Sequence, residues 1–99
     1  MGYDVCFYST GESAQTPVVN ISYSYNTFYK AFDLPRYRGK TGDMLIKPLE
    51  EGMAELERVY HNLSLTKNLL NATPGNYHQY LKLLHSYAKA HPTWILSVD

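Results

Sequence analysis

The sequence predicts a small α+β domain, and three observations carry that prediction. Both ends of the chain, Tyr3–Tyr8 and Trp94–Val98, alternate side chains with the two-residue period of a half-buried strand. A second β-rich run, Val18–Tyr23, follows the first closely. The stretch between these ends carries apolar residues at helical spacing. A two-stranded hairpin is marginal by itself, so the closing strand is expected to join it. The resulting order is ββαααβ: a small antiparallel sheet of N-terminal hairpin plus C-terminal strand, covered on one face by about three helices. Residues 1–99 make a single domain, and 44% apolar with 18% charged residues suffices for one modest core.

In the first strand Tyr3, Val5 and Phe7 point one way, and Asp4, Cys6 and Tyr8 the other. Ser9-Thr10-Gly11-Glu12-Ser13 is turn material, and Pro17 limits where the second strand starts. Asn26 or Ser24 caps a short helix with Phe28 and Phe32 one turn apart, and Leu34-Pro35 ends it, because a residue before proline is pushed out of helical geometry. Arg36 to Lys40 is then an exposed basic loop. Thr41 caps the next helix, with Asp43 in its acidic first turn. Leu45, Leu49, Met53 (or Leu56) and Tyr60 form its apolar face, leaving Glu50, Glu51, Glu55 and Glu57 on the wet side. Pro48 is expected to kink this helix or reset its start, and Gly52 to weaken it. A polar connector after Leu63 ends in Thr73-Pro74-Gly75-Asn76. In the last helix Tyr77, Tyr80, Leu81, Leu84 and Ala88 follow the i, i+3, i+4, i+7, i+11 pattern, and His91-Pro92 stops it. In the closing strand Trp94, Leu96 and Val98 oppose Ile95 and Ser97.

Composition narrows the function classes. Lys+Arg and Asp+Glu both number 9, so long-range steering toward nucleic acid or an anionic membrane is weak. The single cysteine, Cys6, excludes an internal disulfide and a multi-cysteine metal site. No secretory pattern opens the chain and no apolar run approaches membrane-spanning length, so a soluble cytoplasmic protein without membrane association is expected. In that setting the sequon matches Asn20-Ile21-Ser22 and Asn62-Leu63-Ser64 are chance.

No catalytic set is legible. Gly39-Lys40-Thr41 imitates the end of a phosphate-binding loop, but the glycine needed five positions earlier is Leu34 and no strand precedes it; a turn and helix cap is the better reading. His78 and His85 share a helix face at a spacing that does not suit metal ligation, and His61 and His91 supply no evident further ligands. Cys6, between Val5 and Phe7, is a small sheet residue without a base beside it. Glu50 and Glu51 diverge on a helix and make poor acid–base partners. The expectation is therefore no enzyme, no metal and no cofactor.

What remains is aromatic and basic. Ten tyrosines are present, three of them in the run Tyr23-Ser24-Tyr25-Asn26-Thr27-Phe28-Tyr29. Tyrosine joins a rigid apolar ring to a hydroxyl, so it fills a core edge or covers a partner at little entropic cost. Tyr77, Tyr80 and Tyr60 follow the core stripe. Tyr23 and Tyr25 are placed on one strand face, with Tyr29, Tyr37 or Tyr87 extending a patch. Lys30, Arg36, Arg38, Lys40 and Lys47 gather near it in sequence, either as an ordinary solvated loop paired to the glutamates or as a phosphate or single-strand contact with aromatic rings stacked beside guanidinium. The expected partner-binding residues are Tyr25, Tyr29, Arg36, Tyr37, Arg38 and Lys40.

Met1-Gly2-Tyr3-Asp4-Val5, Asn20-Ile21-Ser22-Tyr23-Ser24-Tyr25 leading to Phe28-Tyr29, Gly39-Lys40-Thr41-Gly42, Pro48-Leu49-Glu50 and the terminal strand occur in one order. In this the chain resembles a group of small uncharacterised phage and prophage proteins that share an N-I-[ST]-Y … F-Y segment, a G-x-T-G turn and a P-x-L-E-x-G helix. It departs from them at Ser24 and in the extra-basic Arg36-Tyr37-Arg38. The resemblance brings no catalytic residues. It implies a phage accessory protein of the host cytoplasm that binds a host protein stoichiometrically, such as a defence nuclease, and inhibits it. The alternative is a nucleic-acid or nucleotide binding or sequestering protein, with the same basic loop and steep salt dependence. A monomer, or a homodimer through an exposed sheet edge, fits either reading.

Overall fold

The computed structural model describes residues 2–9, 17–68 and 71–99. The chain forms β1 (Gly2–Tyr8), β2 (Val19–Ser22), 3-10 turns at Tyr23–Phe28 and Leu34–Tyr37, α1 (Gly42–Val59), α2 (Pro74–Ala90) and β3 (Ile95–Val98). The α+β class is as expected. The helix count is not: among the described residues there are two α-helices rather than about three, and the order is ββααβ. The short helix expected after Ser24 or Asn26 is replaced by the 3-10 turn at Tyr23–Phe28. Its residues through Thr27 are weak helix formers, and the Ser22 hydroxyl accepts the Ser24 amide (3.3 Å), a local bond that competes with helical propagation. Tyr23 and Tyr25 accordingly lie in a turn and do not share a strand face.

β1 occupies the centre of an antiparallel sheet ordered β2-β1-β3. Tyr3 faces Ile21 and Val5 faces Val19 on one side; Val5 faces Val98 and Phe7 faces Leu96 on the other. Asp4 and Asp99 exchange both backbone hydrogen bonds (2.7 and 3.0 Å), which carries the ladder to the last residue. The predicted alternation holds, with Val5, Phe7, Ile21, Leu96 and Val98 buried and Asp4, Cys6 and Ser97 on the opposite face. From Thr10 onward the expected Ser9–Ser13 turn lies outside the described residues, as do residues 69–70 of the connector.

The segment expected to be an exposed basic loop is exposed at Arg36, Arg38, Gly39 and Lys40, and its backbone is stitched to the sheet. The Gly39 N–H donates to the Leu96 carbonyl, the Leu96 N–H donates to the Lys40 carbonyl, and Thr41 bridges Ile95. Gly39 takes φ +81°, a region that suits glycine alone among ordinary residues, and so turns the chain onto the β3 edge. The outer edge of β2 carries no strand among the described residues.

The two helices cover the inner sheet face. Leu45, Leu49, Gly52 and Leu56 of α1 meet Tyr77, Leu81, Leu84 and Ala88 of α2 and the buried rings of Phe28 and Phe32. α1 runs through Pro48 without restarting. The carbonyl that loses its helical partner there belongs to Met44, a solvent-exposed residue. Tyr60 is not part of the stripe: it is the C-cap residue, 38% exposed. α2 starts earlier than the periodicity suggests, because Thr73 caps it through the Asn76 amide and Pro74 sits in its first turn. Among the described residues no helix is long and apolar enough to cross a membrane.

Candidate functional site

The concave feature built by the expected residues is a cleft between α1 and the Thr27–Tyr37 stretch. Gly52 lets the two walls approach: a Cβ there would meet the Ala31 carbonyl oxygen at 2.8 Å. The cleft has two adjoining lobes. A polar lobe of about 300 Å³ is lined by Tyr29, Lys30, Asp33, Arg36 and Tyr37 on one side and by Pro48, Glu51 and Glu55 of α1 on the other. An apolar lobe of about 220 Å³ shares Lys30, Ala31 and Glu55 with it and adds Phe28, Leu56, Val59 and Tyr60. From Pro48 to Tyr60 the cleft follows α1 for roughly 18 Å at the rise of an α-helix.

The six expected contact residues divide. Tyr29 is 57% exposed, and it, Arg36 and Tyr37 line the polar lobe. Tyr37 is half-buried, its ring stacked on Phe32 at 4.6 Å, which fixes the floor of the lobe. Arg38 lies on the β3 side, its Nε donating to the Val98 carbonyl at 2.6 Å, and Lys40 is held on the same sheet edge by its backbone. Tyr25 is a core residue, 3% exposed. It stacks on Tyr77 at 5.3 Å and donates its hydroxyl to the Asn71 carbonyl at 2.6 Å. Burial, with Tyr80 adding to it, pushes the Tyr25 phenol up to about 12, and a hydrogen bond with Asn76 opposes the shift. Tyr25 therefore has no ring face to offer a partner. The Tyr77 hydroxyl, raised chiefly by burial, likewise donates inward to the Phe32 carbonyl (2.6 Å).

Sequence reasoning missed half of the cleft. Glu51 and Glu55 stand one turn apart on α1 and supply its acidic wall. The other two glutamates of the supposed wet side turn toward α2: Glu50 Oε2 lies 2.9 Å from His85 Nε2, and Glu57 Oε1 lies 3.7 Å from His78 Nε2. The signal for this was the equal sevenfold spacing of Glu50/Glu57 and of His78/His85, which two antiparallel helices bring into register. Glu55 is held by Arg58 at 2.5 Å. Among the described residues Lys30, Asp33, Arg36 and Glu51 are in no ion pair, although they share one lobe.

On the outer sheet face, burial raises the Cys6 thiol above its ordinary value, Asp99 and Asp4 add to the shift, and a hydrogen bond to Ser97 opposes it. A thiol so shifted is a poor nucleophile at neutral pH. No protein-family model, curated protein or solved structure matches the chain.

Proposed function

We propose that the protein works by stoichiometric binding of a partner protein, with the cleft along α1 as its docking site. In the setting implied by the phage resemblance the partner is a host protein, such as a defence nuclease, that is blocked by being covered. The observation that carries this reading is the gathering of exposed Tyr29, Val59 and Tyr60 with Arg36 around one concavity. Aromatic and arginine side chains are the usual anchors of protein interfaces, and an apolar floor beside a polar rim is their usual anatomy. Nucleic-acid binding is less well supported. Three carboxylates line the same cleft, and Arg38 and Lys40 lie at the β3 edge, so no continuous basic track is formed.

The test is capture from the natural host with the tagged protein, followed by titration of the purified partner. One-to-one binding is expected, weakened by about tenfold or more in Tyr29→Ala/Arg36→Ala, the scale of losing two interface anchors. Melting temperature checks that the variant stays folded. A partner held equally by both proteins, or retention of oligonucleotides that fades steeply with salt, defeats the proposal.

A further inference from the structure

We infer that the cleft receives an extended segment of its partner in which an acidic and a basic residue are adjacent, with a large apolar side chain within about three positions of them, near in chain because the lobes adjoin. This rests on the docking reading above and adds the chemistry of the occupant. The two walls of the polar lobe differ in net sign: Lys30 and Arg36 outnumber Asp33 on the turn stretch, and Glu51 and Glu55 stand on α1. Among the described residues Lys30, Arg36 and Glu51 are in no ion pair, so the walls do not neutralise one another across the gap. A chain laid between them meets positive charge on one side and negative on the other. Successive side chains of an extended chain point to opposite sides, so neighbouring residues of opposite charge satisfy both walls together. The guanidinium of Arg36 suits a carboxylate in a bidentate pair. The second lobe then takes the apolar anchor, over a floor of Phe28 and Leu56 that is closed to water on the protein side, with Val59 at its rim.

The experiment screens the full-length chain, fluorescently labelled, against a yeast-displayed library of random linear decapeptides. Enriched peptides are expected to carry Asp or Glu beside Lys or Arg, with Phe, Leu, Ile or Trp close by. Arg36→Glu should turn the acidic preference basic, and Glu51→Lys the basic preference acidic. Each should weaken binding of the wild-type consensus peptide by about tenfold or more, the loss of one member of a desolvated charge pair. Val59→Asp should remove the apolar preference alone. Peptides without the charged pair, peptides indifferent to both reversals, or no retained peptide at all would each overturn the inference. In those cases a captured partner that still depends on Tyr29 and Arg36 leaves the docking reading standing; loss of that dependence takes down both.

Discussion

Among the described residues Asn76 is the buried polar side chain, fully shielded at the start of α2. Its Oδ1 accepts the Thr66 amide at 3.0 Å, and its Nδ2 donates to the Thr66 hydroxyl at 2.7 Å and the Asn71 carbonyl at 2.9 Å. One side chain thus ties Thr66 and Asn71 of the connector to the start of α2, and the Tyr25 hydroxyl fastens to that same Asn71 carbonyl. Asn76→Ala should cost about 1–3 kcal/mol, because it removes the acceptor of the half-buried Thr66 amide together with the bonds that the side chain donates. Urea unfolding measures this; a loss under half a kilocalorie would mean that water replaces the amide. The sequence could not show this role. Asn76 sits in turn-forming company, and nothing in its spacing from Thr66 or Asn71 sets it apart from an ordinary connector residue. Tyr25 was opaque for the same reason: a phenol suits core and surface equally, and its partner lies far along the chain.

Among the elements, those with a clean period were legible. β1, β3 and α2 fall where alternation or the helical stripe put them, because one buried face imposes one register. The 3-10 turns and the passage of α1 through Pro48 were not legible, since both depend on what packs alongside. Gly52 shows the difference. By helix propensity alone, Gly52→Ala should stabilise α1 by about 1 kcal/mol. The methyl group would instead meet the Ala31 carbonyl at 2.8 Å and Leu81 Cδ1 at 3.2 Å. A net destabilisation of about 1–3 kcal/mol is expected, as for an overpacked core. Chemical denaturation decides it, and a more stable variant would show that the cleft walls are not held that closely. The glutamates of α1 teach the same lesson: periodicity put them outside the core but could not say which faced α2 and which faced the cleft.

At the scale of the whole molecule, the tyrosine-built core makes stability depend on alkaline pH. Tyr25 is raised from 10.0 to about 12, and Tyr77 and Tyr80 are raised as well, each chiefly by burial. A phenol whose native value lies above its unfolded value binds its proton more tightly in the folded state. Folding therefore keeps this contribution in full below pH 10.0 and loses it as pH climbs through about 12. Melting temperature should fall across that window, with delayed tyrosinate absorbance appearing together with unfolding. Tyr25→Phe should flatten the fall at the cost of the bond to Asn71. A melting temperature level across the window would contradict this account of the core.

The placement of β1 between β2 and β3 has a consequence for biosynthesis. The central strand comes from the first eight residues, and one of its flanks from Ile95–Val98. A ribosome must therefore deliver the whole segment before that flank can form, while Val5 and Phe7 wait without their final cover. Translation halted short of Trp94 would yield a sticky, proteolysis-prone stub, however complete its hairpin and helices.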